Sequence, residues 1–375
     1  MMPTLCPKKQ QGVALIIVLM VIALTTIIAT QMSGTLMFQQ QRNENLESNQ
    51  QAYWYAMGAE AFAKSVLYQD FNESKNVTHI GQMWASGEMR FPVELGEISG
   101  EIFDLQACLN LNALNSDQTN QGSTSPPGGA SSSTPSASAP AGGTTGGAAT
   151  PASGTTTSGS ASSGSKTNGE LAKEALKELI VSLEIDGIGN FEAESMTDAL
   201  VDWLDEDNSI VSAGGAEDDD YAAKEFPYLA ANSKLGSVNE LRVIEHFTPQ
   251  VILALKPYVC VLPDSDLHKI NINTMDGEDV KLLQALLGGT DEGTAQDILS
   301  ARPEDGFATI AAFTGLSELA KVKNINQLKQ QFVIDSDYFK LTTKTSFNGS
   351  FFTLNSTFMV KNDELLVVNR SIGAH

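Results

Sequence analysis

The sequence predicts an α+β protein, in which a long N-terminal helix packs on an antiparallel sheet and a large all-α domain is inserted into that framework. An uncharged apolar run from Val13 to Thr30 continues without proline into an amphipathic helical pattern. Apolar and polar residues alternate through Phe91, Val93 and Leu95 and then at Ile98 and Ile102, as strands require, and the C-terminal end of the sequence is typical of three strands joined by turns. Between these stretches, residues 170–331 have mostly helical periodicity. We therefore expect the two strand-forming ends to share one sheet.

Composition limits the class of function. The chain has 45 acidic and 23 basic residues, which gives a net charge of −22. A field of this sign repels nucleic acid and anionic lipid and attracts cations. The four histidines are scattered and form no metal-ligand spacing with the three cysteines. The sequence therefore gives no support for catalysis and favours a metal ion over nucleic acid as a ligand.

The first element is predicted to be a membrane anchor. Lys8 and Lys9 precede an apolar run of eighteen uncharged residues, enough helix to cross most of a hydrocarbon core at about 1.5 Å per residue. The lysines hold the start of this run on the cytoplasmic side. A secretory signal would be shorter and would end in a small-residue cleavage site, and none follows Thr30. One helix is expected from Val13 to about Tyr68.

The leader MMPTLCPKKQQG, the apolar run and the continuous helix together resemble a type IV prepilin or pseudopilin. The resemblance implies that a prepilin peptidase cuts between Gly12 and Val13, so that the leader is removed and the anchor is kept. It also implies a single-pass protein of the bacterial inner membrane with its main domain in the periplasm. An ordinary single-pass anchor is the alternative. One residue departs from the family pattern, because most members have glutamate at the fifth mature position, where this chain has Ile17.

A low-complexity segment divides the rest of the chain. Residues 116–168 contain only Gly, Ser, Thr, Pro, Ala, Asn, Gln, one Asp and one Lys, a composition that cannot form a core. Near the C-terminus, turn signals at Asn348-Gly349 and Asn362-Asp363 separate three predicted strands. The predicted organisation is a cleaved leader 1–12, a transmembrane segment 13–35, an α/β domain 36–115 plus 332–375, a disordered insertion 116–168 and a helical domain 169–331.

Five stretches carry a closer resemblance: FDLQACLNLNAL, ALVDWLDEDNSIVSAGGAEDDDY, FPYLAANSKLGSVNELRVI, LKPYVCVLP and ININT. They resemble the type II secretion minor pseudopilin K family, also called general secretion pathway protein K. The resemblance covers nearly the whole chain except the low-complexity insertion. It implies a type IV pilin-like fold with a large helical insertion and no enzymatic activity. It also implies a place in a periplasmic pseudopilus that supports export of folded proteins across the outer membrane.

Acidic residues cluster on both sides of Gly214-Gly215 in a pattern that predicts a metal site. Calcium takes about six to eight oxygen ligands, best supplied by carboxylates and carbonyls that converge from a folded loop. Trp203 and Leu204 tie the first cluster to a core, where unneutralised carboxylates would raise one another's pKa. The family resemblance also implies calcium in the helical domain, whereas the alternative is a solvated acidic surface. The predicted calcium ligands are Asp205, Asp207, Glu217, Asp218 and Asp219.

Three cysteines allow one candidate disulfide. Cys6 lies before the apolar segment, so any bridge would join Cys108 and Cys260. Both fall in the periplasm once the membrane segment is oriented, and disulfides persist there. Each is expected at the junction between the sheet and the helical insertion. Two free thiols are the alternative.

A helical hairpin raises a second class of function. The stretch ININTMDGEDVKLLQALLGGTDEGTAQDILSARPEDGFATIAAF resembles helix-hairpin-helix repeats, which would make the protein a membrane-anchored DNA-binding or DNA-uptake protein. Such hairpins hold phosphate with turn amides and nearby basic residues. Here Asp291 and Glu292 lie where phosphate would bind. Together with the net charge, they favour a packing role for the hairpin and no nucleic-acid partner.

Ile17 and the helical insertion both predict the terminal position in an assembly. In the pilin family the fifth-position glutamate is thought to pair with the N-terminal amine of the subunit added before it, since a lone carboxylate in hydrocarbon costs several kcal/mol. A subunit with nothing above it gains nothing from that glutamate. The insertion would also obstruct another subunit on top. We expect the tip of the pseudopilus, with minor pseudopilins I and J as partners; the alternative is that Ile17 only strengthens the anchor.

Overall fold

The computed structural model describes residues 13–116, 166–362 and 364–373. In chain order the α-helices are α1 Val13–Glu73, α2 Asn168–Ser182, α3 Asn190–Leu204, α4 Asp218–Ala222, α5 Pro249–Leu255, α6 Val280–Leu286, α7 Glu292–Ser300, α8 Ile310–Thr314 and α9 Ile325–Leu328. The strands are β1 Met89–Val93, β2 Gly96–Asp104, β3 Leu109–Asn110, β4 Val259–Cys260, β5 Ile270–Asn271, β6 Phe332–Val333, β7 Tyr338–Phe347, β8 Ser350–Lys361 and β9 Glu364–Ile372.

The chain divides into two compact units. The α/β unit comprises Met1–Asp104, Glu304–Gly306 and Asp335–His375, and the helical unit comprises Leu105–Pro303 and Phe307–Ile334.

α1 is one uninterrupted helix of 61 residues. Its sequence contains no proline, so nothing breaks the hydrogen-bond ladder. Every side chain of residues 13–47 is exposed, whereas Ala52, Ala56 and Leu67 are fully buried on one face. The helix ends five residues later than predicted, and Asn76 then turns the chain with a φ of 63°.

Among the described residues, α1 is the one helix long and apolar enough to cross a membrane. Its most apolar 18-residue window has a mean hydropathy of 2.9 and lies near the N-terminus, with none of it buried. A signal sequence can meet the same criteria of length and composition. The helix is therefore compatible with single-pass anchoring.

A five-stranded antiparallel sheet packs on the second half of α1 and completes the α/β unit. The strand order is β1-β2-β7-β8-β9, so the strands before and after the helical unit share one sheet, as the sequence predicted. Asn348 and Gly349 join β7 to β8 with φ values of 46° and 80°, the left-handed conformations that a tight hairpin needs. Leu95 does not continue the alternation of β1; it lies in the β1–β2 turn with a φ of 63° and is exposed.

Glu60 of α1 is a charged residue buried against the sheet. Glu60 of α1 is 4% exposed and accepts hydrogen bonds from Ser356 Oγ at 2.6 Å and from Arg370 Nε at 2.7 Å. Burial opposes ionisation, but the hydrogen bonds from Arg370 and Ser356 outweigh it and lower the pKa of Glu60. The ion pair with Arg370 ties α1 to β9, and the hydrogen bond from Ser356 ties it to β8.

The helical unit has its own apolar core. α2 begins with a capping box between Thr167 and Glu170 and places the fully buried Leu176 and Leu179 against the neighbouring helices. α2 packs against α3 and α6. The apolar residues of α2 therefore recur at spacings of three and four residues because one face of this helix is buried.

Buried asparagines hold two short parallel strand pairs, β3 with β4 and β5 with β6. Asn112 Oδ1 accepts a hydrogen bond from the Leu235 amide at 2.8 Å, and its Nδ2 donates to the Leu262 carbonyl at 3.2 Å. Asn273 Oδ1 accepts from the Phe307 amide at 2.7 Å, and its Nδ2 donates to the same residue's carbonyl at 3.1 Å. These amides pair backbone groups that would otherwise be buried without partners.

The helical unit begins earlier than the predicted boundary at residue 115. β3 pairs with β4, and Leu111 and Leu114 are fully buried in the core of the helical unit, so residues 105–115 belong with it. Ser116 and residues 166–168, predicted to lie in the insertion, are described, and Asn168 starts α2. Residues 117–165, the leader 1–12 with Gly12, and Asp363 of the second predicted turn lie outside the described residues.

Candidate metal centre

The acidic loop connects α3 to α4 and folds back on itself. Asp205 is the C-terminal cap residue of α3, and Glu217 is the N-terminal cap residue of α4. One carboxylate oxygen from each of Asp205, Asp207 and Glu217 lies within 4.8 Å of the other two. The two acidic clusters, separated by Gly214-Gly215 in the sequence, are therefore brought together.

The glycine turn makes this close approach possible. A Cβ on Gly215 would lie 2.0 Å from Asp202 Oδ2, and a Cβ on Gly214 would lie 2.6 Å from Ser195 Oγ. Side chains at either position would collide with α3. The Val211 amide also donates to Asp202 Oδ1 at 2.9 Å, which fastens the loop to the end of that helix.

Burial of the carboxylates is the strongest indication of a bound cation. Asp205 is 1% exposed and Glu217 is 5% exposed, yet Asp205 Oδ1 and both Glu217 side-chain oxygens have no hydrogen-bond partner. A buried ionised carboxylate without a partner costs several kcal/mol. Because these oxygens converge, one divalent cation could coordinate two or three of them and offset the free-energy cost of burying their charge.

The charges also interact unfavourably without a cation. Burial, followed by the charges of Asp207, Asp202 and Glu217, raises the pKa of Asp205 to about 7. Burial and the Asp202 charge raise the pKa of Glu217 as well. Near neutral pH and without a cation, Asp205 is therefore partly protonated, and a bound metal ion would replace that proton and offset the repulsion.

Two of the five predicted ligands lie outside this convergent group. Asp218 Oδ2 accepts a hydrogen bond from Asn208 Nδ2 at 2.7 Å, and its Oδ1 accepts from the Ala230 amide at 3.0 Å. Asp219 is exposed on the first turn of α4. Asp218 therefore fastens the loop to neighbouring segments, and Asp219 faces solvent.

Neutral oxygens near the cluster were not predicted from the sequence. Asn232 Nδ2 donates to the Asp207 carbonyl at 3.3 Å, and Asn115 Nδ2 donates to the Leu204 carbonyl at 3.0 Å. In both residues the side-chain oxygen is buried without a hydrogen-bond partner. Asn115 and Asn232 both lie outside the acidic loop. The one feature of the sequence that could have identified them as ligands was an asparagine beside a turn. Carboxylate and amide oxygens are the ligands that calcium prefers, so the residues present fit that ion.

Comparison with known proteins identifies the family. Family models for Type II secretion system (T2SS), protein K match residues 107–264 and 270–335, together more than half of the chain. Type II secretion system protein K of Dickeya chrysanthemi is 37% identical over 98% of both chains, and that of Aeromonas hydrophila is 33% identical over 97% of both. The chain belongs to the type II secretion system protein K family. It is therefore a minor pseudopilin of the type II secretion system.

A solved protein K structure shows the same fold. The crystal structure of the GspK-GspI-GspJ complex from enterotoxigenic Escherichia coli contains a chain that matches with a TM-score of 0.69 and 29% sequence identity. The match covers 89% of this chain and 100% of that chain. The predicted α+β, pilin-like fold with an inserted helical domain is confirmed.

Cys108 and Cys260 form a disulfide in this protein K chain, with Cα atoms 5.8 Å apart. The bond lies in the helical unit beside the pairing of β3 with β4, and Cys108 follows the first residue of that unit, Leu105, by three residues. It closes a sequence separation of 152 residues that includes the acidic loop. The bridge thus joins the first segment of the helical unit to the segment that follows α5.

The helical hairpin of this protein K chain is formed by α6 and α7. Gly288 and Gly289 turn the chain with φ values of 71° and 70°. Asp291 caps α7, because its Oδ1 accepts from the Thr294 amide at 2.9 Å. A carboxylate therefore occupies the position at the helix N-terminus where a phosphate would bind. The position of Asp291 favours a packing role for the α6–α7 hairpin over phosphate binding.

Proposed function

We propose that the protein forms the tip of a periplasmic pseudopilus together with the minor pseudopilins I and J, and so supports export of folded proteins across the outer membrane. One observation carries this proposal. The solved relative, which this chain matches along that chain's full length, was crystallised as a complex of GspK, GspI and GspJ. The helical unit adds bulk that would obstruct a further subunit above it, which favours the terminal position.

The N-terminal segment supports an inner-membrane anchor and a periplasmic main domain. α1 begins at Val13 in the described residues, directly after the basic leader and Gly12. Ile17 is 57% exposed on the apolar part of α1, where a glutamate would need a partner amine in another subunit. An apolar residue here suits a subunit that has no neighbour above it.

Calcium is proposed as the resident ion of the acidic loop. Asp205, Asp207 and Glu217 would hold it, and Asn115 and Asn232 offer neutral oxygens nearby. The ion would neutralise the buried carboxylates and fasten the end of α3 to the start of α4. Its role is structural, because it would stabilise the helical unit that is presented at the tip.

Processing by a prepilin peptidase predicts the mature N-terminus. Protein isolated from membranes should begin at Val13, because cleavage after Gly12 removes the leader and leaves the apolar helix intact. N-terminal sequencing together with the intact mass would measure this. A chain that retained Met1, or that began after Thr30, would contradict the prepilin pathway.

Assembly with I and J predicts a defined stoichiometry. Full-length protein co-expressed with minor pseudopilins I and J and extracted in detergent should elute as one complex with a single copy of each. Light scattering and native mass spectrometry would give the composition. The Ile17→Glu variant serves as the control, since a tip subunit does not require glutamate there. Long fibres of this chain alone, or assembly that depended on Ile17→Glu, would place the subunit elsewhere.

A further inference from the structure

A disulfide-bonded segment carries asparagines to the acidic loop. Residues 108–115, here called the bridged segment, begin at Cys108, continue through β3 and end in a 3-10 helix. The disulfide fixes the first residue of this segment to Cys260, which follows α5. Three asparagines follow Cys108 in the segment: Asn110, Asn112 and Asn115. Two of them connect the disulfide to the backbone that carries the predicted calcium ligands.

The last residue of the bridged segment contacts the residue before Asp205. Asn115 Nδ2 donates to the Leu204 carbonyl at 3.0 Å. Leu204 ends α3, where backbone carbonyls have no partner within the helix. Asp205 then leaves the helix in an extended conformation, with a φ of −81° and a ψ of 166°. Asn115 therefore fixes the point at which Asp205 departs from α3.

A second path of contacts leads to Asp207. Asn112 holds both backbone groups of Leu235, because its Oδ1 accepts from the amide at 2.8 Å and its Nδ2 donates to the carbonyl at 3.1 Å. Three residues before Leu235, Asn232 Nδ2 donates to the Asp207 carbonyl at 3.3 Å. The bridged segment thus supports the backbone beside two of the three convergent carboxylates, Asp205 and Asp207.

These contacts are shielded from water. Asn112 is fully buried, and Leu204 is 1% exposed. If the bridged segment moved away, the Leu204 carbonyl would lose its side-chain donor with little water to replace it, which costs free energy. The position of the bridged segment and the geometry of the acidic loop therefore depend on each other.

The disulfide is the directional restraint on the bridged segment. Leu111 and Leu114 are fully buried in the core of the helical unit and would keep the segment folded without the bond. Apolar contacts are non-directional, however, so they do not set the hydrogen-bond geometry of the asparagines. The sequence that follows, residues 117–165, is mostly Gly, Ser, Thr, Pro and Ala and offers no core to hold it.

We propose that the Cys108–Cys260 disulfide positions the calcium site through Asn112 and Asn115, so that the bond and the ion stabilise each other. The proposal rests on the proposed calcium ion and adds positioning residues from outside the acidic loop. Breaking the bond lets the bridged segment shift, which loosens the backbone beside Asp205 and Asp207 and weakens calcium binding. Coupling of this kind is reciprocal, so calcium favours the disulfide over two thiols by the same factor.

The first test measures calcium affinity by calorimetry on the full-length chain in detergent. Replacing Cys108 and Cys260 with alanine should raise the Kd for calcium about fivefold to twentyfold, within the range typical of coupled sites. Asn115→Ala should raise it similarly although the disulfide is intact. Asn273→Ala is the matched control, because Asn273 is equally buried but holds Phe307, outside the acidic loop. It should lower the melting temperature and leave the Kd unchanged.

The second test measures the coupling from the disulfide side. Dithiothreitol, a dithiol, gives two electrons and two protons to the bond, which yields two thiols on the protein and its own cyclic disulfide. Alkylation and mass measurement give the reduced fraction at equilibrium, in samples that circular dichroism shows to be folded. Saturating calcium should lower the equilibrium constant for reduction by the factor that separates the calcium affinities of the oxidised and reduced chains. Asn115→Ala should bring that factor close to one.

The outcomes separate the two proposals. If the oxidised, unaltered chain does not bind calcium, the proposed calcium site fails. If it binds calcium but the reduction equilibrium is the same with and without calcium, the positioning inference alone fails. An unchanged Kd in Asn115→Ala would also overturn the inference. A disulfide that restricted only the unfolded chain would change the melting temperature and neither of these measurements. If the double alanine variant did not fold, the reduction equilibrium and Asn115→Ala would decide.

Discussion

Replacing both Cys108 and Cys260 with alanine is expected to lower the melting temperature of the protein by about 10–20 °C. The disulfide closes a sequence separation of 152 residues. In the chain-entropy model a loop of this length contributes about 5 kcal/mol, because it restricts the unfolded chain. A domain of this size changes its melting temperature by about 2–4 °C per kcal/mol. Fluorescence of Trp203, which is buried in the helical unit, would follow the transition.

Reduction provides the control for this prediction. A reductant should destabilise the unaltered protein to the level of the double variant and should leave the variant unchanged. Alkylation of the mature protein without reductant, followed by mass measurement, should add no label to either cysteine. Two added labels, or equal melting temperatures of variant and unaltered protein, would show that no bridge contributes to stability.

Chelating calcium is expected to lower the melting temperature of the helical unit by about 5–10 °C, and millimolar calcium should restore it. An ion present at 100 times its dissociation constant stabilises the native state by about 2.7 kcal/mol, and at about 2–4 °C per kcal/mol that corresponds to the stated shift. Asp205→Asn should remove most of the response to calcium, since Asp205 belongs to the convergent group. Asp219→Asn is the matched control and should retain it, because Asp219 is exposed.

Proton binding gives the calcium prediction a second signature. The pKa of Asp205 is raised from 3.8 to about 7 in the folded chain without metal. The protonated folded state is therefore favoured below pH 4, and this contribution is lost as the pH rises through about 7. As the pH rises from about 4 to about 7, the chelated protein should become less stable. Calcium should bind more tightly over the same pH interval because its ligands ionise.

An unchanged melting curve on chelation at about pH 7.5 would contradict the calcium site. Equal calorimetric affinities of Asp205→Asn and Asp219→Asn for calcium would contradict it as well.

Local rules predicted most elements of the α/β unit. The apolar run without proline predicted α1, because helix propagation depends on neighbouring residues alone. The Asn348-Gly349 turn predicted the β7–β8 hairpin, since few residues adopt its left-handed conformations. Alternation predicted β2 but not the end of β1, because Leu95 adopts a turn conformation with a positive φ, which is uncommon for leucine.

The sequence by itself determined the long apolar helix, the individual strands and the loop that carries the acidic residues, because each depends on residues that are close together in the chain. Only the tertiary structure decided which carboxylates converge. Asp205 and Glu217 lose their water when α3 and α4 pack, while Asp218 finds the Ala230 amide and Asp219 remains exposed. The boundary at residue 105 and the nearby oxygens of Asn115 and Asn232 were decided in the same way. They depend on contacts between segments far apart in sequence, and no local pattern specifies which buried oxygen will find a donor.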